Sequence, residues 1–243
     1  MFSSFATQQA GIIQDGLVTY FDFSESQSYP MTGSIVRDLG PQSGNGTIVG
    51  GTTFSNVNDG YLTFNGTNSR IDPIGTSTTG PSGTFFNQNS FTIQAWVWWD
   101  VTTGNPALCS QGQGTNNQGL HIQLSAAPNR LQFNMYNNDL TAATTIVTNR
   151  WYNVAFTYNR ATGFRKTIYL NGNVDASANG NQYTSPTTNN NLNIGRVSWT
   201  AGSPFTGGYL NGRIAQWLIY GRVLTQEDVI QNINASKNKF GLF

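Results

Sequence analysis

The sequence predicts an all-β fold, an antiparallel β-sandwich with one short C-terminal helix. Three observations predict it. Runs rich in β-branched and aromatic residues recur from Leu17 to Tyr220, many of them alternating apolar and polar positions with the period of a strand. Turn-forming residues separate these runs, with 27 glycines in 243 residues and Asn-Gly pairs at Asn65–Gly66 and Asn171–Gly172. One stretch alone, from Thr225, carries a helical stripe.

The elements follow in order. Residues 1–15 precede the first regular pattern and read as an arm, not a signal peptide, because a basic start, a continuous apolar centre and a cleavage site are missing. Within it Phe2, Phe5, Ile12 and Ile13 are costly to leave in water, so the arm is expected to dock, and in an assembly these four are the contact residues. Leu17 to Phe23 reads as the first strand. Tyr61–Phe64 and Ser69–Asp72, on either side of Asn65–Gly66, predict a hairpin. Phe91, Ile93, Ala95 and Val97 alternate with Thr92, Gln94, Trp96 and Trp98, and bulk on both faces predicts a central strand. Gly119–Ser125 and Arg130–Tyr136 form the next pair through Pro128–Asn129, and Trp151–Tyr158 pairs with Arg165–Leu170. Asn171–Gly172 fits a tight type I′ turn into Asn173–Val174. A polar stretch from Asn179 to Asn191 reads as a long surface loop, followed by strands at Leu192–Val197 and Leu210–Tyr220. Thr225 then caps a helix over about 225–236, with Asp228 in the place of the capping-box Glu and Val229, Ile230 and Ile233 as its apolar stripe. With no linker and no fixed repeat, residues 16–243 form one domain of roughly a dozen strands.

Composition restricts the chemistry. Charged residues are only 9% of the chain, with twelve Lys and Arg against eleven Asp and Glu, while aromatics reach 13%. Phosphate neutralisation needs clustered cations, and none exceeds Arg165–Lys166, so nucleic acid is not an expected partner. No apolar run approaches the roughly 18 residues of a membrane span. The single Cys109 and single His121 leave no disulfide and too few soft ligands for zinc. Cys109 lies in an apolar stretch and reads as a buried small hydrophobe; His121 alternates with apolar neighbours, as an outward strand position would. The acids lie mostly singly, in turns, apart from Asp22 with Glu25 and the helix-heading Glu227 with Asp228, so no paired-carboxylate hydrolase site emerges and no catalytic residue is assigned.

In their order, six pieces of this chain resemble the laminin G-like, concanavalin A-like jelly-roll superfamily, the lectin/glucanase sandwich. They are Leu17–Phe23, Tyr61–Gly66, Phe91–Val97, Trp151–Tyr158, Ile168–Gly172, and Leu210–Ala215 with Ile219–Leu224 and the capped helix, covering about residues 16–236. The resemblance implies a jelly roll and admits a structural calcium beside the first strand. Asp22, Asp38 and Asn45 are the candidate ligands, yet Ala215 stands where many relatives carry Asp, and calcium takes six to eight oxygens. No cofactor is therefore expected, calcium being the one ion left open. The clustered acids of the glucanase branch are missing, so its chemistry does not carry over. The ending, Thr225 to Leu242, is similar to the terminus of such domains in tailed-phage structural proteins.

That likeness sets the functional expectation: a non-catalytic bacteriophage virion protein, assembled in the host cytoplasm, that decorates the capsid or joins the tail or fibre. Its partners would be other virion proteins, with host-surface glycans as a further ligand and a homo-oligomer left open. A free lectin-like module is the alternative, and a glycoside hydrolase comes third. Sugars are held by amide groups and flat aromatic faces, so the candidate carbohydrate contacts are Asn116, Asn117, Asn137, Asn138, Asp139, Asn189 to Asn191, Trp199 and Tyr209. The bland alternative is that these Asn residues simply serve turns.

Overall fold

In the computed structural model the described residues are 11–74, 84–184, 191–198 and 206–240. Their strands are β1 (Leu17–Asp22), β2 (Ile35–Val36), β3 (Gly46–Val49), β4 (Thr53–Ser55), β5 (Tyr61–Asn65), β6 (Arg70–Ile74), β7 (Phe91–Trp99), β8 (Ala107–Gly112), β9 (Gly119–Leu124), β10 (Arg130–Asn134), β11 (Asp139–Thr145), β12 (Trp151–Asn159), β13 (Arg165–Leu170), β14 (Asn173–Ala178), β15 (Leu192–Ile194), β16 (Val197–Ser198), β17 (Thr206–Gly207) and β18 (Asn211–Tyr220). A single-turn helix, α1 (Phe85–Gln88), precedes β7, and α2 (Gln226–Ser236) follows β18.

Two antiparallel sheets form a sandwich, consistent with a jelly roll. The first runs β14-β13-β12-β7-β18-β5-β4, with β1 on the second half of β18; the other runs β11-β10-β9-β8-β15-β6-β3-β2. The core fills the space between them. From β7, Phe91, Ile93, Ala95 and Val97 enter it, and Ile122, Phe133 and Ile194 meet them from the opposite sheet. Trp96 lies on the other face of β7, as alternation requires, so this central strand is buried on both sides.

That second face needs a cover, and α2 provides it. Trp96, Trp151, Ala155 and Leu218 pack under Val229 and Ile233. The Phe240 ring lies 4.6 Å from Trp96 and 5.2 Å from Trp151, a burial that contributes about 1.5–3 kcal/mol. The helix starts at the predicted capping box: Thr225 Oγ1 accepts from Asp228 N at 3.2 Å, and Asp228 Oδ2 accepts from Thr225 N at 3.1 Å.

Polar groups key the helix in place. Asn232, 1% exposed, donates to Gln94 Oε1 at 2.8 Å and to the Tyr220 hydroxyl at 3.0 Å, and accepts from the backbone N–H of Ile13 at 2.9 Å. Gln94 in turn donates to Asn153 and to the Val229 carbonyl, while Trp96 Nε1 donates to Ser236 Oγ at 2.8 Å. Buried amides left without partners are expensive, so this ladder fixes one seating of the helix. It also settles what Ile12 and Ile13 dock on: they pack against the chain's own outer cluster, and Gln231 of α2 bonds the Gly11 carbonyl. Phe2 and Phe5 lie outside the described residues.

Two turns show where local signals succeed and fail. Asn171 and Gly172 take φ of 50° and 84°, the left-handed pair that a type I′ hairpin needs, and a Cβ on Gly172 would stand 3.0 Å from Ile230. At Asn65–Gly66 the expected hairpin is wrong, because β5 pairs with β18 and β4 while β6 pairs with β3 and β15 in the other sheet. Asn65 Oδ1 accepts from the backbone N–H of Thr67, Asn68 and Ser69 and so winds an arch across the sandwich. Phe64 and Ile71, one from each strand, meet in the core.

Asn232→Ala should lower stability by about 3 kcal/mol, since it leaves Gln94, Tyr220 and Ile13 each short of a buried partner. Urea denaturation measures it; a loss below about 1 kcal/mol would mean that apolar burial alone seats the helix.

Candidate functional site

Four connecting segments meet where β8, β10, β12 and β14 finish. They are the 113–118 turn, the 135–138 turn, the 160–164 turn and the 179–184 segment. The last laces the other three together. Gly180 N donates to the Gly163 carbonyl at 3.4 Å, Asn181 exchanges bonds with the Asn138 side chain at 2.9 and 3.3 Å, and Thr184 N reaches the Asn117 carbonyl at 2.8 Å. Tyr183 pins the segment from within: it is fully buried, and its N–H donates to the Tyr158 hydroxyl at 2.9 Å. Residues 179–184 of the polar stretch therefore lie at the surface with one core anchor, Tyr183; residues 185–190 lie outside the described residues.

The structure thus collects Asn116, Asn117, Asn137, Asn138 and Asp139 at one end of the sandwich and gives them different work. Asn138 is buried, and both halves of its amide are spent on Asn181. Asn117 is half-buried and supports the turn through its backbone, donating to the Tyr136 carbonyl at 3.0 Å. Asn116 and Asn137 are exposed and hold each other, Asn137 Nδ2 to Asn116 Oδ1 at 2.7 Å. Asn117, Tyr136 and Asn137 take φ of 62°, 57° and 53°; Asn tolerates that region, whereas for Tyr136 it costs on the order of 1 kcal/mol. Tyr136 is half-exposed beside the Asn pair in sequence and was not singled out by sequence reasoning. Tyr209 lies elsewhere: its neighbour Gly208 bonds Ala107, at the opposite end of β8. Trp199, Asn189 and Asn190 lie outside the described residues.

From this end a polar row crosses the outer face of the second sheet. Register places exposed Asp139 opposite Asn134, Asn134 opposite His121, and His121 opposite Ser110. His121 faces away from the core, as expected, yet it is only 9% exposed. Its Nδ1–H donates to the Gly119 carbonyl at 2.9 Å, which leaves Nε2 to accept from Asn134 Nδ2 at 3.1 Å. Burial holds its pKa below the ordinary value, in keeping with that neutral tautomer. Beside it Gln123 Nε2 donates to Gln132 Oε1 at 3.1 Å, and Gln132 donates to Thr141. Two carbonyl oxygens of this row, Asn134 Oδ1 and Gln123 Oε1, are buried with no donor among the described residues. The sequence signal was present: the outward positions of β9 and β10 are His, Gln, Gln and Asn, amide-rich where solvated strands usually carry Thr or Lys.

The calcium candidates are already satisfied by the protein. Asp22 accepts from Ser24 N, Ser24 Oγ, the Tyr20 hydroxyl and Gln216 Nε2, with the Lys239 ammonium 3.9 Å away. Asp38 accepts from the backbone N–H of Tyr20, Gly40 and Gly44, and Asn45 Oδ1 accepts from Asp38 N. Ala215 points into the cluster under α2. These residues do not fit a calcium site, and no group of three or more His, Cys, Asp or Glu among the described residues could hold a metal. Cys109 is fully buried in the core, where desolvation raises its thiol pKa far above the usual range.

A model of the concanavalin A-like lectin/glucanases superfamily matches residues 56–230. No curated protein matches the chain. Among solved structures it is similar to domain 4 of an extracellular arabinanase from Geobacillus stearothermophilus in complex with arabinotriose, at 18% identity and a TM-score of 0.63, over 93% of this chain and 99% of that one. It is also similar to Trypanosoma rangeli sialidase in complex with sialic acid, at 17% identity and 0.64, over 97% of this chain and 37% of that one. A third is the binding domain of botulinum neurotoxin DC in complex with rat synaptotagmin II, at 14% and 0.65, over 92% and 52%. The chain thus spans well under two thirds of the sialidase and of the neurotoxin domain, and nearly all of the arabinanase domain. At these identities the likeness is one of fold.

One buried charge stands behind the loops. Lys166, 1% exposed, donates to the Asn138 carbonyl at 2.5 Å, and burial lowers its pKa from 10.5 to about 8 against a smaller opposing pull from Asp139. The unfolded chain then binds more protons between about 8 and 10.5, so Lys166 makes stability rise with pH across that window. Urea denaturation at several pH values should show the wild type gaining on Lys166→Met from pH 8 upward and a constant difference below pH 7. A constant difference throughout would contradict it.

Proposed function

The chain belongs to the concanavalin A-like lectin/glucanase superfamily, and from that membership we propose that it is a non-catalytic carbohydrate-recognition module. The observation that carries the reading is the end of the sandwich where Asn116 and Asn137 stand exposed on turns laced to one another, with Tyr136 and, at the start of β11, exposed Asp139 beside them. Amides offer donor and acceptor together, as a sugar hydroxyl does, and a surface held by turn bonds loses little entropy on binding. With few charges on these turns, contacts there are hydrogen bonds to the hydroxyls of a ligand. The arabinanase domain bound to arabinotriose supports the reading by analogy, since its fold corresponds over nearly its whole length.

What supports a non-catalytic role is the state of the acids. Asp22, half of the one acidic pair near a strand end, is occupied by four hydrogen-bond donors, and Glu25 lies exposed in the turn after it. Most glycoside hydrolases need two free carboxylates across one bond.

The setting we propose is a phage virion, with the module on capsid or tail proteins and host-surface glycan as its ligand. The support is the likeness of residues 225–242 to the ends of tailed-phage domains and the weakly charged surface. Mass spectrometry of purified particles tests it: the protein should be a stoichiometric component, and its absence from intact particles would remove this setting while leaving the carbohydrate reading standing.

Glycan-array screening should find a saccharide ligand, and EDTA should leave binding unchanged because Asp22 and Asp38 have protein partners. Replacing Asn116 by Ala and Asn137 by Gly, which keeps the positive φ of 53° free of strain, should weaken binding about tenfold with little change in melting temperature, two neutral hydrogen bonds contributing about 1.4 kcal/mol together. No ligand on the array, with or without calcium, would overturn the reading.

A further inference from the structure

At the same end of the sandwich, on the side of the first sheet, a cleft of about 570 Å³ opens between the start of β7, the end of β12 and the end of β18. Its walls include Gln88, Ser90, Arg160, Gly221 and Arg222. The two arginines differ in how they are neutralised. Arg222 is paired twice, with Asp15 at 2.8 Å and with Asp228 at 2.7 Å. Arg160 is paired with no acid among the described residues. All eleven Asp and Glu of the chain lie among the described residues, and none forms an ion pair with it.

Neutral oxygens surround Arg160 instead. Its guanidinium donates to the Asn87 carbonyl, and Gln182, with its amide oxygen turned toward it, accepts from both terminal nitrogens at 3.2 and 3.0 Å. Its backbone N–H donates to Ser90 Oγ at 3.0 Å, which leaves the Ser90 hydroxyl hydrogen to be donated elsewhere. These contacts fix the fork of the guanidinium in a half-buried position and leave its charge uncompensated. Arg37, Arg130, Arg150 and Arg165 also form no ion pair among the described residues; what sets Arg160 apart is its fixed place on the wall of this cleft. Asn87 and Gln182 take both N–H groups of Nη1 and one of Nη2, and the edge that remains, Nε–H with the second N–H of Nη2, matches the two oxygens of a carboxylate. The segment that carries Gln182 is the one that ties Asn138 and Asn117, so the cleft and the Asn-lined loops are joined by direct bonds.

We propose that this cleft binds the carboxylate of an acidic saccharide, a uronic acid unit, with Arg160 as the carboxylate contact and Ser90 and Gln88 as hydroxyl contacts. The oxyanion part stands on the cleft alone; the saccharide part rests on the carbohydrate reading above. Inorganic phosphate shares the oxyanion chemistry and is the control for it.

Calorimetric titration of the full chain at low ionic strength, with trigalacturonate, galactotriose and inorganic phosphate, tests the proposal. Trigalacturonate should bind about tenfold more tightly than either of the others, the value of one charge-assisted contact, and the advantage should shrink as salt is added. Arg160→Gln should abolish the advantage and leave galactotriose unaffected. If Arg160→Gln fails to fold by circular dichroism, Arg160→Lys carries the test: it keeps the charge, loses the fork and should retain part of the advantage. Equal affinity for the acidic and neutral sugar, or an advantage that survives both substitutions, would overturn the proposal. Phosphate binding as tightly as trigalacturonate through Arg160 would overturn its saccharide part. Failure of the array would concern the Asn-lined loops, whereas the Arg160-dependent difference concerns this cleft, so the two readings fail separately.

Discussion

The hydrogen bonds of Asn232 with Gln94, Tyr220 and Ile13 are the constraint on which the rest of the molecule leans. Strand β7 is buried on both faces, so the sheet that carries it needs a second cover besides the opposing sheet. Apolar packing against Trp96 and Trp151 would accept α2 in several positions. The amide ladder selects one, and it fixes the chain entering β1 in the same stroke. Consequences reach the end loops. Asp15 on the entering segment and Asp228 in the helix cap both hold Arg222, and so shape one wall of the cleft that Arg160 faces.

Much of this was legible in the sequence because the strongest strands obey simple alternation. Phe91–Trp99, Trp151–Asn159 and Asn211–Tyr220 are long enough for periodicity to speak, and they form the central ladder of one sheet. The capping box at Thr225 and the turn at Asn171–Gly172 are local chemistry, and local chemistry reads well. Short strands such as Ile35–Val36 and Thr53–Ser55 hold too few residues for any period, and only tertiary pairing defines them. Asn65–Gly66 misled for a physical reason: an Asn side chain can wind a crossing arch as readily as its backbone can enter a hairpin.

The candidate site was legible as a list and not as an arrangement. Asn116, Asn117, Asn137, Asn138 and Asp139 converge, yet nothing in their sequence context separates buried Asn138 from exposed Asn137 one position earlier. Arg160 gave no signal at all, since an unpaired guanidinium is defined by where eleven acids elsewhere in the chain do not lie. Low charge gains a sharper meaning here. With so few ions, Asp22 and Asp38 serve as internal acceptors, and the polar surface at the loop end is made of amides.

Ligand binding at the loop end is tested most directly by following the side-chain NH2 signals of Asn and Gln by two-dimensional NMR while saccharide is added. Saturable shifts of Asn116 and Asn137 are expected, with Asn134 and Gln123 moving behind them and Asn232 unmoved beneath the helix. Shifts confined to the opposite end, around Asn105 and Asn193, would contradict it.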